Sequence, residues 1–325
     1  MPITLRSPAL EVTIVPERGA DIVQVTDLAT GIPTLAVSPT GTVTTGPDAA
    51  TDSMTRWLTG YPGGWQLLVP NAGAERVHDG VRQGYHGESA LSAWETIETE
   101  IDRAVFEARL ITAPLELHRL VQVDGDGLIV TDTVRNLADL PVSTRILQHP
   151  AFGAPFLDEH SFLRTDAATL IADAVAPGTL ATPDACAAPS ILLAPGPLPS
   201  SVALPGPGAG SSLFAALTDF PDSDPSVLFA SPTHGFGMRL SWSREQYPSA
   251  WFWIEANAGT DWPWFQRLYA VAVEPANVLP GEGTAPTGAA RGGVGTVLGP
   301  REELTSTVRL DRIALASDTV NPYRP

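Results

Sequence analysis

Three residues far apart along the chain carry the chemistry worth following first. His86 stands in Tyr85-His86-Gly87-Glu88, His149 in His149-Pro150-Ala151-Phe152-Gly153, and Glu274 closes the apolar run 268–273 just before Pro275. Histidine titrates near neutral pH, so it can give up a proton and regain it, as a general acid must. His149 precedes a proline, which holds its backbone extended and fixes its direction. Alternate residues of a strand share a face, so Glu274 lies with Ala272 and Ala270, small neighbours that leave room for a ligand. A buried glutamate needs a partner, and a histidine is one candidate. Each residue also has a plainer reading: His86 bonded to a nearby backbone carbonyl, His149 a rigid strand end, and Glu274 a solvated one.

Residues suited to holding a ligand surround these three. The segment 61–73 (YPGGWQLLVPNAG) has glycines and prolines that allow close backbone approach, and Asn71, His86 and Glu88 offer the directional hydrogen bonds that a hydroxyl-rich molecule needs. Half of the eight tryptophans, Trp251, Trp253, Trp262 and Trp264, fall within one short stretch. Trp251 and Trp253 share a strand face and read as core. The pair Trp262 and Trp264 reads as loop, free to stack on the C–H face of a sugar. His86 and Glu88 have the spacing of two metal ligands on a strand, but no third is in view and no metal is expected.

The elements that must position these side chains read as strands. Leu10, Val12 and Ile14 alternate before a turn and a second apolar run at 22–25, and Asp124-Gly125-Asp126-Gly127 separates two alternating runs as a hairpin would. Further strands are expected at 238–242, 250–255, 267–274 and 304–310. No helical period exceeds about two turns. The 31 prolines and 29 glycines among 325 residues suit short strands and turns. An all-β chain is expected, forming one domain over 1–325, with long Ala/Pro/Gly-rich loops near 172–212 and 276–300.

Composition narrows the function further. Acidic residues outnumber basic ones by 36 to 19, a net charge of −17 that repels a nucleic-acid backbone. Every basic residue is arginine, which removes Schiff-base and P-loop lysine chemistry. The single cysteine, Cys186, can form no internal disulfide. Residues 1–25 interleave polar and apolar side chains, without a signal-peptide core or spanning segment. The expectation is a soluble, cytoplasmic protein with no nucleic-acid or membrane partner.

Taken in order, GGWQLLVPNAG, YHGES, HPAFG and VEP resemble the aldose 1-epimerases, the galactose mutarotase-like proteins, and in particular their divergent bacterial branch. The resemblance runs through roughly residues 10–312. It implies a large antiparallel β-sandwich and a cofactor-free isomerase that interconverts the α and β anomers of a hexose, working as a monomer or homodimer. Carried over residue by residue, it makes Glu274 the general base, His149 the general acid, and His86 a second histidine that binds the sugar near its ring oxygen. Asn71 falls where relatives place a substrate contact. The arginine that commonly follows that asparagine is here Ala72, and Arg76, a few residues on, is the displaced candidate. A non-catalytic carbohydrate-binding protein on the same scaffold, or an isomerase acting on a modified sugar, are the alternatives.

Overall fold

The computed structural model describes residues 1–40, 52–78, 80–281 and 295–316. Two large antiparallel sheets, of eleven and nine strands, pack face to face, with two small two-stranded sheets beside them. The expected hairpins form. Leu10–Val15 (β1) pairs with Asp21–Asp27 (β2), and Leu115–Asp124 pairs with Gly127–Asn136, closing at Asp124–Gly127. Leu10, Val12 and Ile14 point inward and are fully buried, as their alternation requires. The strands expected further on form as Phe236–Trp242, Ser249–Ala256, Tyr269–Ala276 and Glu303–Ala314.

One helix matters for the site. Ser53–Gly60 (α1) is eight residues long, and the Asp52 side chain accepts a hydrogen bond from the Thr55 N–H, capping its N-terminus. The segment 172–212 is more structured than a loop. It holds the strands Cys186–Ala187 and Ser201–Ala203 and a helical turn at Pro189–Leu192, elements too short to leave a period in the sequence. Most of the second expected loop, near 276–300, lies outside the described residues. No helix among them is long and apolar enough to cross a membrane.

The larger sheet carries the site. After α1 come Trp65–Leu68 (β3), Leu147–Phe152 (β4), Ser211–Thr218 (β5), Ser249–Ala256 (β6) and Tyr269–Ala276 (β7). In space the order is β1-β2-β3-β4-β7-β6-β5, so the two strands carrying His149 and Glu274 lie side by side at the centre. Both faces of this sheet are covered. One face packs on the nine-stranded sheet through Trp65, Leu67, Phe152, Phe252, Val271 and Val273, while the other gathers Leu68, Leu147, Trp251 and Ala276 with Trp57 and Tyr61 of α1 and its exit.

Between the sheets a polar network holds the centre. Arg119 and Asp132, both fully buried, make a bidentate ion pair at 2.7 and 3.0 Å. The Gln148 amide donates to Asp132 at 2.6 Å and its carbonyl oxygen accepts from the Trp65 indole at 2.9 Å. This anchors the residue immediately before His149 and turns His149 itself to the opposite face.

Candidate functional site

Register brings the histidine and the glutamate together. Leu147 pairs with Ala276 and Ala151 with Ala272, so His149 of β4 and Glu274 of β7 hold matched positions on the same face. The ladder is open between those pairs, where Pro150 and Pro275 have no N–H to contribute. His149 Nε2 lies 3.6 Å from Glu274 Oε1, and the two side chains are 6% and 2% exposed. Burial pushes the Glu274 carboxyl well above the usual carboxylate range and lowers the His149 imidazole to about 4. Burial thus favours the uncharged form of each partner.

His86 reaches the same cavity from a tight turn. Its backbone φ is 56° and that of Gly87 is 74°, two consecutive left-handed residues. A side chain at Gly87 would drive its Cβ to 2.5 Å from the Val69 carbonyl oxygen, so glycine is required there. The turn is locked by a reciprocal pair: the His86 N–H donates to the Gly73 carbonyl at 2.9 Å, and the Gly73 N–H donates to His86 Nδ1 at 3.1 Å. Burial, and then the neighbouring His149, lower the His86 pKa well below the ordinary value. With a neutral ring whose Nδ1 accepts, the proton sits on Nε2, making His86 a hydrogen-bond donor there.

His149, Glu274 and His86 line a cavity of about 310 Å³ whose walls are mostly aromatic: Trp57, Tyr61, Tyr85, Phe214, Trp251, Trp253 and Trp264. Trp251 faces Glu274 across the strand pair and Trp253 faces Ala272. Ala270 and Ala272, expected to leave room for a ligand beside Glu274, do not line the cavity; both are fully buried in a small cluster against which Trp253 and Trp264 pack. Trp57 and Tyr61 stack with ring centroids 4.9 Å apart. Both rings line the cavity, and their Nε1 and Oη atoms are buried without a protein partner.

Four expected binding residues do not line the cavity, and in three of them the polar group already serves the fold. Asn71 is fully buried, and its amide donates to the carbonyls of Ala74 and Gly84 at 2.8 and 2.9 Å. It staples the two arms of the turn that carries His86. The Glu88 carboxylate accepts from the Ile111 and Thr112 N–H groups and the Thr112 hydroxyl, each at 2.7 Å, tying down the 111–112 turn. Arg76 lies in a two-stranded hairpin and donates from Nε to Gln83 at 2.9 Å. Trp262 is 44% exposed and does not line the cavity, whereas Trp264 does. Trp251 packs in the core as expected and also borders the cavity, while Trp253, expected in the core, is only partly buried and lines it. Trp57 and Tyr61 were missed, although their i, i+4 spacing before Pro62-Gly63-Gly64 was the available signal. Among the described residues no group of three His, Cys, Asp or Glu side chains is arranged to hold a metal.

Solved structures share this architecture over nearly the whole chain. The galactose mutarotase related enzyme from Lactobacillus acidophilus matches with a TM-score of 0.67 and 15% identity, covering 98% of this chain and 99% of its own. A galactose mutarotase-like protein from Lactobacillus casei ATCC 334 gives 0.66 and 16%, covering 96% and 100%. The Slr1438 protein from Synechocystis sp. PCC 6803 gives 0.67 and 19%, covering 97% and 96%. The shared fold is the galactose mutarotase-like β-sandwich. No curated protein matches the chain by sequence. Residues 2–311 match a single family model, and the chain belongs to that family, the domain of unknown function DUF4432.

Proposed function

We propose that this protein is an aldose 1-epimerase, interconverting the α and β anomers of a hexose. The observation that carries this reading is the His149–Glu274 pair, 3.6 Å apart and buried at a cavity of sugar size. Anomerisation removes the proton of the C1 hydroxyl and protonates the ring oxygen, opening the ring to an aldehyde. One base and one acid suffice. Glu274 takes the hydroxyl proton while His149 protonates the ring oxygen; after rotation about C1–C2, reclosure on the other carbonyl face runs the transfers backwards.

The electrostatics suit a pair that must exchange roles. Burial raises the carboxyl and lowers the imidazole, so each is pushed toward its uncharged form and the two affinities for a proton are drawn together. In the first step the carboxylate accepts the C1 hydroxyl proton and the imidazolium gives its proton to the ring oxygen, and reclosure returns both. In this reading the His86 Nε2–H holds a sugar oxygen and the tryptophan faces cover the C–H surface of the ring, supported by the presence of these side chains in the cavity wall.

Polarimetry of freshly dissolved α-D-glucose and α-D-galactose, corrected for spontaneous mutarotation, tests the reading. The rate is expected to exceed the uncatalysed one and to fall as the pH drops through about 4, where His149 stays charged and can no longer give up and regain its proton. Sugar binding without acceleration would favour the non-catalytic alternative.

A further inference from the structure

A second buried carboxyl group lies behind the site in the same row of side chains. Ile22 of β2 pairs with Trp65 of β3, which places Asp21 opposite Gln66, and Gln66 pairs in turn with His149 of β4. The row Asp21, Gln66, His149, Glu274 thus crosses four adjacent strands on one face of the sheet. Asp21 is fully buried, and the Gln66 amide donates to its Oδ2 at 2.8 Å. Asp21 Oδ1, Gln66 Oε1 and His149 Nδ1 are buried without a protein partner, and so is the Tyr61 hydroxyl. Tyr61 stands over this row. Its ring meets that of His149 edge-on at 5.6 Å, and both Glu274 and Asp21 act on its phenol.

We propose that Asp21 is a positioning residue for the His149–Glu274 pair, acting through Gln66 and Tyr61, and that its ionisation sets the proton affinity of that pair. The inference rests on the proposed function for its catalytic meaning but not for its geometry. Burial raises the Asp21 carboxyl to about 7, against the opposing pull of the Gln66 hydrogen bond and the Arg18 and Arg119 charges. Arg119 is committed to Asp132, and Arg18 is itself shifted downward by burial. The groups facing His149 are Glu274, His86, Tyr61, Trp57 and Trp253. Among these the described titratable groups other than Glu274 are neutral at pH 7, since burial lowers His86 and raises Tyr61. A carboxylate forming at Asp21 is therefore the charge change that the pair would sense near neutrality. Two strand spacings separate the positions of Asp21 and His149, roughly 10 Å. At an effective dielectric of about 20, one negative charge at that distance raises an imidazole by about one pKa unit.

The test follows the His149 ring nitrogens and Cε1 by NMR in isotopically labelled protein between pH 5 and 9, with His149→Gln to assign the signals. In the wild-type protein the His149 shifts are expected to step near pH 7, and Asp21→Asn, which keeps the side-chain shape, is expected to abolish the step. No step in the wild-type protein, or a step retained in folded Asp21→Asn, overturns the proposal. Should Asp21→Asn not fold, Tyr61→Phe decides: a diminished step supports the coupling and a full-sized one refutes it. This readout needs no turnover, so it stands or falls apart from anomerase activity. Where turnover is present, kcat/KM is expected to change up to tenfold across pH 7 in the wild type and to be flat in Asp21→Asn.

Discussion

Replacing Asp132 by leucine tests the link between the sandwich core and the site. Asp132 binds Arg119 through two hydrogen bonds and accepts a third from Gln148, and Asp132 and Arg119 are buried to 1% and 0% exposure. Removing the carboxylate leaves a buried guanidinium whose remaining hydrogen bond goes to the Ala20 carbonyl. Breaking a buried pair in this way costs about 3–5 kcal/mol, whereas replacing both partners by apolar residues of similar volume is often close to neutral. Asp132→Leu is therefore expected to lose about 3–5 kcal/mol, and the double variant Arg119→Met/Asp132→Leu to recover most of it. Urea unfolding followed by tryptophan fluorescence measures this, as a lower midpoint at constant slope. Because Gln148 loses an acceptor next to His149, the single variant should also be slower in anomer exchange than its stability at the assay temperature explains. A loss below about 1 kcal/mol, or a double variant no more stable than the single one, would refute the assignment of this network as the support beneath His149.

Three further outcomes follow from the same geometry. Glu274→Gln keeps the side-chain volume but removes the base, so kcat should fall by about 10²–10⁴-fold with KM changed only a few-fold, as steady-state polarimetry would register. Trp264→Ala should weaken sugar affinity about 5- to 30-fold, by about 1–2 kcal/mol of lost stacking, while Trp262→Ala leaves it unchanged in a titration monitored by fluorescence. Asp21 is protonated in the fold up to about pH 7 but ionises near its ordinary value of 3.8 when unfolded. Between those values the folded state binds the extra proton, so the contribution of Asp21 to stability is present at low pH and is lost as pH rises to about 7. Asp21→Asn should gain on the wild type over that interval by up to about 4 kcal/mol and no further above it, in urea titrations run at several pH values.

The sheets were legible because one face of many strands alternates cleanly, as Leu10, Val12 and Ile14 do, and because Asp-Gly turns mark hairpins. From the residues alone the meeting of His149 and Glu274 was legible only as a need for a partner, and it was the family resemblance that joined them in one site, since their cross-strand register is a property of pairing and not of either segment. That Trp251 and Trp253 also form cavity wall was not legible because β6 is buried along nearly all its length on both faces, so alternation could not separate cavity wall from core. Asn71 and Glu88 were misread for a related reason. A buried amide or carboxylate is as useful for satisfying stranded backbone groups as for binding a ligand, and here both are consumed by the turns around His86 and at 111–112. Asp21, at the start of an ordinary amphipathic strand, gave no signal at all.

Magnetisation exchange between the α and β anomeric protons of D-galactose at equilibrium probes the central claim without any coupled enzyme. Catalytic amounts of wild-type protein should produce exchange well above the buffer rate, and His149→Ala and Glu274→Gln should return it nearly to that baseline. Unchanged exchange in folded variants lacking either side chain would show that the imidazole and the carboxyl do not move the proton.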